Sequence, residues 1–252
     1  MIVLKSLASA FLMYSRIPVP RVEWKEENRR YALCFFPLIG AVIGGLLLLW
    51  QYLCGLLDTG GILRSAVSVL LPVLVTGGIH IDGFCDTADA VSSYADKQKR
   101  LEIMKDPRIG SFAAIALCSM LLLQFALFCE IGNFAAVAVG YVLSRALSGL
   151  AAVTLRSAKS GGTLQSFVKP AHKNVTVAVL AGTAAVCAAS ELTAGLWTGI
   201  FVCTAAAGCF IFYRISAYRD FGGITGDTEG WFLQITETAI LAAVCVSEVS
   251  GL

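Results

Sequence analysis

Three aspartates, Asp82, Asp86 and Asp89, follow directly on an apolar segment of the chain. If this stretch is helical, their i, i+4 and i+7 spacing places all three carboxylates on one face. Like charges on one face repel each other unless a cation lies among them. Oxygen ligands of this kind suit Mg²⁺, which is usually held by a few carboxylates together with substrate phosphates. The spacing therefore predicts a magnesium site that acts on phosphate; the alternative is a solvated acidic helix end.

A basic stretch comes next and ends just before another apolar segment. It contains Lys105, Asp106 and Arg108. A guanidinium can hold two phosphate oxygens at once, and an ammonium can neutralise them. We therefore predict that this stretch binds substrate phosphates, although anchoring at a membrane surface would also explain its cations.

Four further residues are candidates for substrate binding. Arg145 and Glu237 are ionisable residues inside apolar segments, where a charge is costly and is usually functional or paired. They could reach the substrate or simply pair with each other. Thr225 and Asp227 lie in a glycine-rich loop, 222–230, whose backbone N–H groups could bind an anion, although turn chemistry alone would also explain it.

The composition is that of a protein that crosses a membrane several times. Hydrophobic residues make up 57% of the 252 residues and charged residues only 14%, and the mean hydropathy is +0.77. Soluble domains have roughly 25% charged residues. The nine cysteines form no C-x-x-C pair, which favours small buried side chains in a reducing compartment.

We predict an all-α, polytopic integral membrane protein with about seven transmembrane helices and an amphipathic interfacial helix over residues 1–13. The whole chain, 1–252, is expected to form a single membrane-embedded catalytic domain. Of the 19 Lys and Arg residues, 17 fall on one side of these spans. The positive-inside rule then places the N-terminus and the aspartates on the cytoplasmic side. The predicted spans are 31–57, 62–81, 109–130, 133–155, 174–191, 194–213 and 231–249.

Several motifs, in order along the chain, are similar to those of one known family. On these motifs the chain resembles the cobalamin synthase family, the adenosylcobinamide-GDP ribazoletransferases. Small departures are Phe84-Cys85, where Leu-Ala is expected, and Ala90, where Gly is common; the loop 156–173 matches only loosely. The matching motifs are SRIPVP from Ser15, FPLIG from Phe36, H-x-D-G-x-x-D-T-x-D from His80, R-x-E-I-M-K-D-x-R-I-G from Arg100, and G-G-x-T-G-D from Gly222, followed by Glu237.

The resemblance implies a specific reaction in the cytoplasmic membrane of a prokaryote. Adenosylcobinamide-GDP would react with α-ribazole or its 5′-phosphate, with Mg²⁺, to give GMP and adenosylcobalamin or its 5′-phosphate. This is the last step in assembling the nucleotide loop of vitamin B12. Asp89 or His80 would then take the proton of the ribose hydroxyl that attacks phosphorus. No nucleic acid is expected as a partner, and the oligomeric state stays open.

Two other classes of protein are alternatives. One is another magnesium-dependent membrane phosphotransferase that acts on a nucleotide-activated head group, as CDP-alcohol phosphotransferases do. The D-G-x-x-A-R signature of those enzymes is absent, because Asp86 and Thr87 stand where Ala-Arg would fall. The other is a cation transporter, which would need acidic residues near the membrane midplane on several spans. Only Glu237 has that position in the sequence.

Overall fold

A computed structural model describes residues 2–251, and over these residues the chain forms twelve α-helices and one 3₁₀ turn without a β-strand. Met1 and Leu252, the two ends of the predicted single domain, lie outside the described residues. The helices are α1 Ile2–Tyr14, α2 Glu26–Arg29, α3 Phe36–Leu56, α4 Gly61–Thr76, α5 Ile79–Ser92, α6 Lys97–Ile103, α7 Ser111–Glu130, α8 Phe134–Thr154, α9 Thr163–Val168, α10 Lys173–Ala194, α11 Leu196–Asp220 and α12 Gly226–Val249, and the 3₁₀ turn is Ala32–Phe35.

Six stretches of helix in the described part of the chain are long and apolar enough to cross a membrane, and α4 with α5 passes the same test as a bent pair. This confirms the prediction of an all-α protein with about seven transmembrane helices. The predicted N-terminal helix is also present, as α1. Two predicted bounds are too narrow, because the sixth span extends to Asp220 and the seventh begins at Gly226. Their extra turns carry the polar residues that the hydropathy pattern had assigned to a loop.

The prediction of one continuous second span over 62–81 is wrong. Helix α4 ends at Thr76, and α5 leaves it at an angle of 96°. Gly77 and Gly78 both have left-handed backbone conformations, with φ of 65° and 79°. Such φ values suit glycine and end a helix, since side chains are rarely tolerated there. The break turns the aspartate-bearing segment into a separate helix.

Helices α3 and α8 pack closely at the centre of the fold through small residues. A Cβ on Gly40 would overlap the carbonyl group of Tyr141, and one on Gly44 would come within 2.8 Å of the Ala138 carbonyl oxygen. Glycines at i and i+4 let two membrane helices approach until their backbones touch. The spacing Gly40-x-x-x-Gly44 in the sequence is typical of such close helix packing.

The long polar connections gather at one end of the helices, called the loop face below. Arg100 of α6 forms an ion pair with Asp220 at the end of α11, with 2.7 Å between nitrogen and oxygen. The backbone of Ile224 hydrogen-bonds to the segment after α8, at Arg156 and Ala158. These contacts hold the loops that surround α5 in fixed positions relative to each other.

Candidate active site

Helix α5 presents the aspartates at the loop face. Because Ile79–Ser92 is helical, Asp82, Asp86 and Asp89 follow each other about one turn apart along one side, as their spacing predicts. Asp82 is exposed, and the other two carboxylates are partly buried.

Two glycines bring α5 against the first turns of α12. A Cβ on Gly83 would come within 2.7 Å of the Asp227 carbonyl oxygen, and one on Gly230 would meet the backbone of α5 at 2.9 Å. The two backbones approach this closely only because neither position has a side chain. Asp227 consequently stands near the aspartates of α5, and its charge repels that of Asp86.

A partly enclosed cavity of about 240 Å³, called the inner cavity below, lies among α1, α5, α8 and α12. Apolar and aromatic side chains form much of its wall, including Tyr14 and Phe36. Its charged lining residues among those described are all acidic, namely Asp82, Asp227 and Glu229. The inner cavity is therefore suited to a largely apolar, uncharged group.

A wider depression of about 590 Å³, called the outer groove below, lies on the other side of Asp82. It is lined by Asp86 as well as by Arg16 and Arg108. The side chain of Arg16 packs directly over Gly77 in the break between α4 and α5. Carboxylates and guanidinium groups that line one groove are suited to a phosphate bound through a cation.

Asp82 belongs to both spaces. Met13, Ile79 and Asp82 line the inner cavity and also the outer groove, and of these three only Asp82 is charged. Groups bound in the two spaces would therefore meet at Asp82.

Asp89 is held by the beginning of α7. Its carboxylate oxygens accept hydrogen bonds from the backbone N–H groups of Gly110, at 2.6 Å, and Ala113, at 2.8 Å. Both N–H groups are at a helix N-terminus, where a carboxylate is favoured by the unsatisfied donors and by the helix dipole. In this geometry Asp89 fixes the start of α7 next to Arg108.

We expect Asp89→Asn to lower the free energy of unfolding by about 1–2 kcal/mol, because an amide has only one oxygen to accept the two N–H groups. Thermal unfolding in detergent would measure this loss. Asp96→Asn is the matched control, since Asp96 accepts a single hydrogen bond, from Lys99 N at the start of α6, and Asn caps a helix as well as Asp does. Equal melting temperatures for the two variants would contradict the capping role of Asp89.

The predicted phosphate-binding stretch is exposed on the loop after α6. Arg108 donates to Asp106 through Nε, at 2.9 Å, and through Nη2, at 2.7 Å. These hydrogen bonds lower the pKa of Asp106 to about 2. The Arg108 side chain is 86% exposed beside the outer groove, and Lys105 is exposed nearby. The structure thus places Arg108 where a phosphate could replace Asp106 as the partner of its guanidinium group.

Arg145 and Glu237 form a buried ion pair, with 2.7 Å between Nη1 and Oε1. The same nitrogen donates to the carbonyl oxygen of Tyr141 at 3.0 Å. The space beside the pair is only about 10 Å³, which is too small for a substrate group. This geometry favours the structural pairing that the sequence left as an alternative; a role of the pair in binding substrate stays a prediction.

The glycine-rich loop, 222–230, begins α12. Thr225 and Thr228 form a capping box, in which each side chain accepts a hydrogen bond from the other residue's backbone N–H. The buried Thr225 side chain therefore satisfies the helix terminus, which agrees with turn chemistry. Asp227 projects from this fixed turn into the inner cavity wall.

The sequence of this chain can be compared with those of known protein families and of individual proteins. The family described as cobalamin-5-phosphate synthase matches residues 6–245. The chain belongs to this family. It is 45% identical over 248 residues to an adenosylcobinamide-GDP ribazoletransferase of Lachnoclostridium phytofermentans, a match that covers 97% of this chain and 95% of the relative. A protein of the same name from Pseudomonas savastanoi pv. phaseolicola is 35% identical, over 95% of this chain and 98% of its own. No solved structure matches the chain.

Membership of the cobalamin-5-phosphate synthase family confirms the resemblance on which the sequence prediction rests. It favours that prediction over a CDP-alcohol phosphotransferase and over a transporter. The roles of the individual site residues stay predictions that rest on geometry.

The sequence did not single out a buried group of three polar residues at the inner cavity. Glu229 is buried at the inner cavity and accepts hydrogen bonds from Ser148 Oγ, at 2.5 Å, and from the Tyr213 hydroxyl, at 3.0 Å. Ser148 and Tyr213 lie in apolar stretches of α8 and α11, where nothing in the sequence distinguishes them. Only the charge of Glu229, within the loop 222–230, could have drawn attention to this group. Arg16, in the SRIPVP motif, was likewise not singled out.

The carboxylates do not form a complete metal-binding site by themselves. Among residues 2–251, no three His, Cys, Asp or Glu side chains lie close enough together to ligate one ion. Mg²⁺ does not need a complete site of this kind, because it keeps several waters and commonly takes one or two carboxylates plus phosphate oxygens. Asp82 and Asp86, which both line the outer groove, are a donor set of that kind. The residues present therefore fit a magnesium ion that arrives with a phosphate substrate.

Proposed function

We propose that this protein transfers the adenosylcobinamide-phosphate group of adenosylcobinamide-GDP to α-ribazole or its 5′-phosphate and releases GMP. The observation that carries the proposal is the position of Asp82 between an outer groove that has guanidinium groups and an inner cavity that, among the described residues, has none. A transferase of this kind needs adjacent sites of different chemistry, one for a pyrophosphate and one for an alcohol. The names of the relatives in the family support the same reaction.

The reaction forms one bond and breaks one. An oxygen of the ribose attacks the phosphorus attached to cobinamide, and the bond from that phosphorus to the oxygen bridging it to GMP breaks. The bridging oxygen leaves with GMP, and the ribose hydroxyl releases one proton. Charge grows on the leaving phosphate, so groups that stabilise it there accelerate the reaction.

Asp82 and Asp86 would hold Mg²⁺, which when bound neutralises the pyrophosphate and the leaving GMP. Arg108 and Arg16 would contact phosphate oxygens from the walls of the outer groove. Asp89 lies one turn further along α5, and its contacts with α7 would keep the loop of Arg108 in place. In this proposal two of the three predicted metal ligands, Asp82 and Asp86, bind the ion. Asp89 instead holds the start of α7 in place.

The proton of the ribose hydroxyl would pass to Asp227. Of the two bases named from the sequence, Asp89 already accepts two N–H groups, and the Nε2 atom of His80 is closed to solvent. Asp227 lies at the inner cavity next to Asp82 and is fixed by the capped turn of α12. A carboxylate so placed can accept the proton as the oxygen attacks.

The loop face would lie on the cytoplasmic side of a bacterial membrane. The long connections at this end contain nearly all of the cations, whereas the opposite end has short connections such as 131–133. The positive-inside rule supports this orientation. Nucleotide substrates would then reach the outer groove from the cytoplasm.

The experiment that tests the function measures GMP release by the protein purified in detergent. We expect GMP from adenosylcobinamide-GDP only when α-ribazole or its 5′-phosphate is added. Excess EDTA should stop the release and added Mg²⁺ should restore it, because the carboxylates alone would repel the phosphates. GMP release that did not depend on the acceptor would contradict the proposed function, and release that survived EDTA would remove the metal from it.

A further inference from the structure

The inner cavity differs from the outer groove in both size and charge. Its volume of about 240 Å³ is below the roughly 300–1,000 Å³ of pockets that hold drug-sized ligands. A corrinoid is far larger than such ligands and cannot enter. In the part of the chain that the structure describes, the charged residues that line the cavity are all carboxylates, so a pyrophosphate without its cation would be repelled. What fits is a small, flat and uncharged group.

One wall of the inner cavity is aromatic. The rings of Tyr14 and His80 lie nearly parallel, with an interplanar angle of 17° and 6.3 Å between centroids. Phe36 stands 4.5 Å from Tyr14 and 5.8 Å from His80, again between ring centroids. Planar aromatic groups pack well in offset or tilted contact with such rings. Met13, Leu33, Leu164 and Leu233 add apolar surface.

His80 adds an imidazole ring to this wall. It is 6% exposed and lines the inner cavity. Its Nε2 atom has no hydrogen-bond partner among the described residues, but that atom is closed to solvent, and His80 also borders the small space beside Arg145 and Glu237. The contact that His80 offers a ligand is therefore that of its ring. The Glu229 carboxylate is already satisfied by Ser148 and Tyr213.

We propose that the inner cavity is the acceptor site, which holds the benzimidazole base of α-ribazole against the aromatic wall. The ribose then reaches the cavity side of Asp82 and Asp227, where its hydroxyl meets the phosphorus in the outer groove. The imidazole ring of His80 packs against the base as part of this wall. This assignment rests on the proposed function and adds to it the place and the recognition of the acceptor.

The guanosine of the donor is the rival occupant, and the lining disfavours it. Guanine has polar atoms along most of its edge. The carboxylates that line the cavity could accept hydrogen bonds from its N–H groups, but they have no proton to donate to its O6 and N7 atoms, which costs free energy at each of these acceptors. The methyl-substituted benzimidazole ring has a single free acceptor nitrogen and is otherwise apolar. The guanidinium groups are in the outer groove, where the diphosphate of the donor belongs.

The test narrows the inner cavity and compares the two substrates. In Ala152→Leu, a longer side chain occupies part of the cavity from α8, where Ala152 is a lining residue. We expect the KM for α-ribazole, and for its 5′-phosphate, to rise roughly tenfold or more, while the KM for adenosylcobinamide-GDP is unchanged. Ala181→Leu, the same change at an exposed position of α10, is the matched control and should alter neither constant.

Equilibrium dialysis of α-ribazole without the donor gives a second measurement, and its Kd should rise with the KM. A higher KM for the donor alone would assign the cavity to guanosine and overturn the proposal. If neither KM value changes, the proposal is also overturned. If Ala152→Leu fails to fold, Leu164→Phe replaces it, since Leu164 of α9 also lines the cavity. The same changes in the two KM values are then expected, and the same results would contradict the proposal. Wild-type protein that binds α-ribazole but releases no GMP would contradict the proposed function and leave the acceptor site intact.

Discussion

Asp82→Asn is expected to lower acceptor-dependent GMP release by roughly two to three orders of magnitude. The substitution keeps the shape of the side chain and removes one negative charge from the wall between the inner cavity and the outer groove. In the proposed reaction that charge would help to hold the Mg²⁺ that neutralises the pyrophosphate. The amide can still accept a hydrogen bond, but it binds a hard cation much more weakly than a carboxylate does. The rate of GMP release at saturating substrate, measured in detergent, would show the loss.

Asp58→Asn is the matched control for Asp82→Asn. Asp58 is exposed in the short connection after α3, at the end of the molecule opposite the loop face. Its φ of 49° is left-handed, a conformation that Asn also accepts. The control should therefore keep the activity and melting temperature of the wild type. Full activity in Asp82→Asn, with the protein folded, would remove Asp82 from the metal site.

Arg145→Met is expected to destabilise the protein by about 3–5 kcal/mol, because it leaves the buried Glu237 carboxylate without its partner. The Arg145 side chain is fully buried and that of Glu237 is 6% exposed, so water cannot replace the lost contact. Thermal unfolding in detergent would measure the change. Lys169→Met, at an exposed position between α9 and α10, removes a cation from the surface and should cost little.

The double variant Arg145→Met/Glu237→Met separates the two explanations for this pair. If the pair is structural, replacing both charges by apolar side chains should restore most of the stability, and with it the activity. If Arg145 binds substrate, the double variant should fold as well as the wild type and still fail to release GMP. A double variant as unstable as Arg145→Met would contradict the pairing itself.

The sequence predicts the general architecture because the lipid bilayer imposes strict rules. Apolar stretches of about 20 residues must be helices there, since their backbone groups have no water to bond. The prediction of an all-α membrane protein followed from this. Asp82, Asp86 and Asp89 could be placed on one side of a helix because helical periodicity is local.

The tertiary structure decided which of these aspartates face a cavity. Asp82 and Asp86 line the outer groove, whereas Asp89 accepts hydrogen bonds from backbone 21 and 24 residues further along the chain. A side chain's partners depend on contacts between distant segments, and helical spacing holds no information about them. The break at Gly77 was missed for a related reason, because hydropathy continues smoothly through it.

By itself, the sequence determined the membrane class, the family and the carboxylate-bearing stretch, because composition, motifs and helical spacing are properties of consecutive residues. Only the tertiary structure placed Asp82 between two cavities of different chemistry. Only there does Glu229 meet Ser148 and Tyr213, and His80 become part of the wall of the inner cavity. The reason is physical: α1, α5, α8 and α12 enclose that space together, and no single segment of the chain defines its shape.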